Sequence, residues 1–254
     1  MDRVRYVAIG DSFTEGVGDE DAAGTPRGWA DRVAAGLAGA SGGPVSYANL
    51  AVRGRLLDDV VGRQLDAALA LDPLPTMVTL NGGGNDMLRP RSDLARLRAL
   101  TASAVRRCAD AGVRLVLLSG ADPSAGLPMG RVVHRRSAAL TGAVADLAGE
   151  HGLTLVDAFS DTEIRRPGYW SPDRLHLGPA GHVRVAGLVL DALGVRGSLP
   201  AAGTAPDAPP RAGTHLAYYR EHVLPWVGRR LRGRSSGDGR PAKYPDWTTV
   251  PPTG

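Results

Sequence analysis

A single cysteine, Cys108, stands in a chain of 254 residues. One cysteine excludes an internal disulfide framework and a cysteine-based zinc site. Its place on an apolar helix face predicts a buried structural thiol. Lysine is as scarce: Lys243 is the only one, and the basic excess is almost all arginine. That removes a lysine-dependent phosphate loop and argues against Schiff-base chemistry. Long apolar runs are missing too. The longest, such as residues 113–118, are far too short to span a bilayer. Met1-Asp2-Arg3-Val4-Arg5 leads straight into a strand pattern, with no apolar leader core and no small-residue cleavage site. The expectation is a cytoplasmic protein with no stable membrane insertion.

The net charge of +4 is unevenly placed. Residues 211–254 carry eight basic and three acidic side chains, which leaves residues 1–210 at about −1. The main body therefore has no basic footprint for nucleic acid.

What is present is alternation. Short continuous apolar runs at residues 4–9, 45–50, 76–80, 113–118 and 153–156 read as strands buried on both faces. Between them lie helical patterns over residues 29–37, 56–70, 94–111 and 131–149. Ser92 is the expected N-cap of the third and Gly112 its stop. Pro179 suits the first turn of a last core helix reaching Leu193. The pattern predicts a three-layer α/β/α domain over residues 1–194 with a five-stranded parallel sheet. A Gly/Ala/Pro-rich linker follows over 195–213. Residues 214–254 read as a basic helical extension with a C-terminal arm. Its helical stretch, divided at Pro225, carries Leu216, Tyr219, Val223, Trp226, Val227 and Leu231; it reads as docked on the domain, and the alternative is contact with a partner or a membrane surface.

Four stretches follow the predicted strand ends and, in a parallel sheet, converge on one edge. They are Gly10-Asp11-Ser12, Gly54, Gly83-Gly84-Asn85-Asp86 and Asp173-Arg174-Leu175-His176. A serine hydroxyl needs a neighbouring base to attack at neutral pH. His176 is the candidate base, and Asp173, three residues earlier, can turn back to its other ring nitrogen. An oxyanion needs fixed donors, and the Asn85 carboxamide is one candidate. Each residue also has a plainer reading: Ser12 as a helix cap, Gly54 as a turn, Asn85 as an Asx-turn, Asp173 and His176 as a surface pair.

In order and spacing these blocks resemble those of the GDSL esterase/lipase family, the SGNH hydrolases, over residues 4–193. The resemblance implies a flavodoxin-like sheet and a serine hydrolase that cleaves carboxylic esters, of small acyl or acetyl groups, through an acyl-enzyme. It implies Ser12, Asp173 and His176 as the catalytic residues. It implies an oxyanion hole from the backbone N–H groups of Ser12 and Gly54 and the side chain of Asn85. It implies no metal and no cofactor; the partner is a small-molecule ester.

Phe13 replaces the family's leucine, and Arg53 stands where small residues are common. Whether Arg53 points into the cleft or outward is open. Tyr169 and Trp170 either line a pocket or anchor their loop. His182 reads as a capping or packing residue, and Asp11 and Asp86 as braces of their loops. His134, His151, His215 and His222 have no constellation around them. The competing class is a nucleotide-binding or non-catalytic module on a Rossmann-like sheet. Ser12 and Glu15 occupy the positions where a Gly-x-Gly-x-x-Gly starting at Gly10 needs glycine. A Gly-x-Ser-x-Gly elbow fails as well, since Thr14 stands where its second glycine belongs.

Overall fold

Strand β1 (Arg5–Ile9) fixes the centre of the molecule. Its side chains alternate, and both faces are apolar: Tyr6 and Ala8 join one buried cluster, Val7 and Ile9 the other. A strand of that composition must be covered on both sides, which calls for helices above and below. The computed structural model describes residues 4–89, 91–127, 129–195 and 237–252.

β1 is followed by α1 (Ser12–Glu15), α2 (Trp29–Ser41) and β2 (Val45–Asn49). The next helical stretch divides into α3 (Leu57–Asp59), a π-helical turn (Val60–Gln64) and α4 (Leu65–Leu69). Then come β3 (Met77–Leu80), α5 (Gly84–Met87), α6 (Leu94–Asp110), β4 (Arg114–Leu118), α7 (Gly130–His151) and β5 (Thr154–Val156). Two 3₁₀ turns, α8 (Pro179–Ala192) and β6 (Tyr244–Val250) complete the order. The strands run β5-β4-β3-β1-β2-β6 across one sheet. β1 to β5 are parallel; β6 pairs antiparallel with β2.

α2 and α8 pack on one face around Trp29, Val33, Val185 and Val189. The π-helical turn with its flanking helices, α6 and α7 cover the other face around Val60, Leu65, Ala104 and Leu147. Cys108 is buried in that second layer, and burial pushes its thiol up to about 11, so it is an inert packing group.

Two expectations are corrected. The sheet has six strands, not five, because the arm adds β6. β6 is a mostly exposed edge strand, so its sequence lacks the apolar alternation that marks the others. Helix α6 is capped by Asp93, not Ser92: Asp93 Oδ1 accepts the Arg96 N–H at 3.0 Å. The expected helix within residues 214–231 lies outside the described residues, as does nearly all of the expected linker. Among the described residues no helix is long and apolar enough to cross a membrane.

Candidate active site

The strand order places its switch point between β1 and β3, whose following loops leave the same sheet edge in opposite directions. Open α/β sheets form their crevice there. A cavity of about 320 Å³ occupies it. Ser12, Gly54, Asn85, Asp173 and His176 all line this cavity.

Ser12 begins α1 directly after the β1 turn. Asp11 caps the helix, its Oδ1 accepting the Phe13 N–H at 3.1 Å. The π-helical turn aims Gln64 at the same place. Its Oε1 accepts the Gly10 N–H at 2.8 Å and its Nε2 donates to the Gly10 oxygen at 2.9 Å. The backbone entering Ser12 is thus held from both sides. Burial raises the Asp11 carboxyl to about 6, against the lowering effect of the Phe13 N–H and the nearby His176.

Gly54 has φ 77°, a left-handed conformation that suits glycine. Among the described residues, no protein acceptor takes the backbone N–H of Ser12 or of Gly54. Asn85 Nδ2 donates to Asp11 Oδ2 at 2.9 Å and to the Arg55 oxygen at 3.0 Å. Asp86 braces its loop as expected, accepting the Leu57 N–H at 3.0 Å.

The last block is a tightly bonded turn. Arg174 has φ 57°, rare for a residue with a side chain. That bend lets Asp173 Oδ1 accept the N–H groups of Leu175 and His176, each at 2.9 Å, and the Ser171 hydroxyl at 2.6 Å. Asp173 Oδ2 lies 2.5 Å from His176 Nδ1. Burial by itself would raise the Asp173 pKa; the hydrogen bond and charge of His176 outweigh it and hold the carboxyl well below the usual carboxylate range. Ser12 Oγ and His176 face the same cavity without a direct hydrogen bond between them among the described contacts. Such bonds often tighten only around substrate.

Other residues resolve differently. Arg53 turns to Glu15: its Nη2 lies 2.6 Å from Glu15 Oε1, so its charge is matched. Tyr169 is buried and its hydroxyl donates to Glu163 at 2.9 Å, an anchor for the loop. Trp170 lines the cavity while its Nε1 donates to the Ile164 oxygen at 2.8 Å. His182 is fully buried: Nδ1 accepts the Trp29 N–H and Nε2–H donates to the Val17 oxygen, both at 3.2 Å. Burial lowers it to about 4, so it is a neutral packing and capping residue. His134 is corrected, since it does have a partner: its Nδ1 lies 2.7 Å from the buried Asp122. The two are twelve residues apart, with nothing in the sequence to join them. A second cavity of about 190 Å³ shares Pro123 and Trp170 with the first and has Arg165 and Arg174 in its walls. Among the described residues no group of three or more His, Cys, Asp or Glu side chains is placed to hold a metal ion.

The parallel sheet, the switch-point cavity and the four converging loops define an SGNH-type hydrolase architecture. Residues 8–184 match the model of the GDSL-like Lipase/Acylhydrolase family, and the chain belongs to that family. Among solved structures it is similar to a catalytic mutant of Axe2, an acetylxylan esterase from Geobacillus stearothermophilus. The identity is 18%, the TM-score 0.63, and the match covers 78% of this chain and 97% of that one. It is similar to the psychrotrophic esterase EstA from Pseudoalteromonas sp., in a structure inhibited by monoethylphosphonate. There the identity is 18% and the TM-score 0.59, over 75% of this chain and 96% of that one. TesA matches at 25% identity and TM-score 0.58, over 74% and 97%. A comparison with curated proteins gave no match.

Proposed function

We propose that the protein is a metal-independent serine hydrolase of carboxylic esters. Ser12 Oγ attacks the ester carbonyl while His176 Nε2 takes its proton. Asp173 holds the imidazole in the tautomer that leaves Nε2 free and stabilises the imidazolium that forms. The tetrahedral intermediate collapses to an acyl-Ser12, and His176 returns the proton to the departing alcohol. Water, deprotonated by His176, then attacks the acyl carbon; the bond to Ser12 Oγ breaks, His176 returns the proton to that oxygen, and the carboxylic acid leaves.

The observation that carries the reading is the pair of unpartnered backbone N–H groups, Ser12 and Gly54, on the cavity that also holds the Asp173–His176 pair. Two backbone N–H groups without a protein acceptor on one cleft suit a developing oxyanion. Asn85 joins them by exchanging one of its two present acceptors for the oxyanion. The cavity, at about 320 Å³, lies at the small end of the range for small-molecule sites and has room for a short acyl ester.

The experiment is labelling with a fluorophosphonate, followed by peptide mapping. Ser12 Oγ displaces fluoride, and the adduct forms on the peptide containing Ser12. His176→Ala slows the labelling by about 10²-fold or more. A label on another residue, or none, counts against the proposal.

A further inference from the structure

The C-terminal arm lies beyond the residues that match the family, 8–184, yet it reaches the site. Two contacts from Gly237 join it to the loop carrying Gly54, and Lys243 joins it to the end of the helix that Ser12 begins. Gly237 packs on that loop so closely that a Cβ there would lie 2.1 Å from the Arg53 oxygen and 2.8 Å from Val52 Cγ1. The Gly237 oxygen accepts from Arg55 Nη2 at 3.3 Å, and the Arg55 oxygen in turn accepts from the Asn85 carboxamide at 3.0 Å. The side chain of Lys243, the chain's only lysine, is 6% exposed. Its ammonium donates to the Glu15 oxygen at 3.0 Å, the Pro26 oxygen at 2.8 Å and Asp31 Oδ2 at 2.7 Å.

Glu15 closes the circuit. Its carboxylate accepts the Arg53 backbone N–H at 2.6 Å and grips the Arg53 guanidinium at 2.6–3.0 Å. Glu15 ends the same short helix that Ser12 begins. The chain from Lys243 through Glu15 to Arg53 therefore ties the nucleophile's helix to the loop one residue before the Gly54 N–H. Four charges, Lys243, Asp31, Glu15 and Arg53, compensate in two pairs with little exposure to water, where such contacts are strong and geometrically demanding.

We propose that Glu15, Lys243 and Gly237 are positioning residues, through which the arm sets the distance between the Ser12 and Gly54 N–H groups. This rests on the reading of those groups as oxyanion donors. None of the three touches the reacting atoms.

The test uses the full chain with Glu15→Ala, Glu15→Gln, Lys243→Met and Gly237→Ala. Thr248→Ala, on β6 away from the loop, is the control. One readout is kcat for p-nitrophenyl acetate per fluorophosphonate-titrated site. The other is amide hydrogen exchange of the peptide spanning residues 52–56. Displacing one donor without removing it is expected to lower kcat by about tenfold or more, with KM within about threefold. Exchange of the 52–56 peptide rises in parallel. Glu15→Gln keeps an acceptor for the Arg53 N–H and restores part of the loss, and Thr248→Ala matches wild type. A merely structural role lowers the number of titrated sites but not kcat per site; that result overturns the proposal, as does unchanged exchange in the 52–56 peptide. A wild type that neither labels nor hydrolyses overturns the nucleophile reading, and the exchange measurement still decides whether the arm holds the loop.

Discussion

Asp173 holds His176 twice: Oδ2 lies 2.5 Å from the ring Nδ1, and Oδ1 accepts the His176 backbone N–H at 2.9 Å. One carboxyl group fixes both the ring and the chain that carries it. Asp173→Asn keeps the volume but can present its NH₂ to Nδ1, which selects the wrong tautomer. The expected loss in kcat is about 10³–10⁴-fold with the fold intact. Steady-state kinetics on an activated acetyl ester, with circular dichroism as the fold check, measure it.

Gly54 at φ 77° predicts a backbone penalty for any side chain. Gly54→Val forces a β-branched residue into the left-handed region, at about 1–2 kcal/mol or more. The thermal midpoint falls, and kcat falls further than the stability loss accounts for, because the N–H is displaced. Calorimetry alongside kinetics separates the two effects.

Two buried groups give the protein opposing responses to acid. Burial lowers His182 to about 4 from an ordinary 6.5, so its contribution to stability is present above 6.5 and lost as pH falls toward 4. Burial raises Asp11 to about 6 from 3.8, so the folded state holds its proton more tightly. Its contribution is present below 3.8 and lost as pH rises through 6. Each amounts to roughly 3 kcal/mol, and in wild type they partly cancel. Asp11→Asn removes one side, so the variant loses stability more steeply than wild type between pH 6.5 and pH 4. Urea unfolding across that range checks the slopes; equal slopes contradict the assignment.

Trp170 stands between the cavities of about 320 and 190 Å³. Trp170→Ala joins them, and the preference is expected to shift severalfold from acetyl toward hexanoyl esters. A panel of p-nitrophenyl esters of increasing chain length measures this as a ratio of kcat/KM values.

Much of this was legible in the sequence where the signal is local or repeated. The β1 run is apolar at consecutive positions because both its faces are covered, so strand and layers follow from one pattern. The candidates Ser12, Gly54 and Asn85 are legible because their loops follow β1, β2 and β3, and the Asp173/His176 pair because its block stands just before the last helix, α8. The arm is legible but its strand is not, because β6 is an edge strand with polar, exposed positions. Glu15–Arg53, Asp122–His134 and Lys243–Asp31 escaped because tertiary folding alone brings them together. The direction of Arg53 could not be read from its neighbours; it was set by Glu15, 38 residues earlier.

The most direct test of the central claim is the rate of hydrolysis of p-nitrophenyl acetate by Ser12→Ala beside wild type, both folded by circular dichroism. Loss of the hydroxyl removes the only atom proposed to bond to the acyl carbon. The expected result is a fall of about 10³-fold or more, to the residual catalysis that donors and binding alone supply. Hydrolysis by Ser12→Ala at the wild-type rate contradicts it.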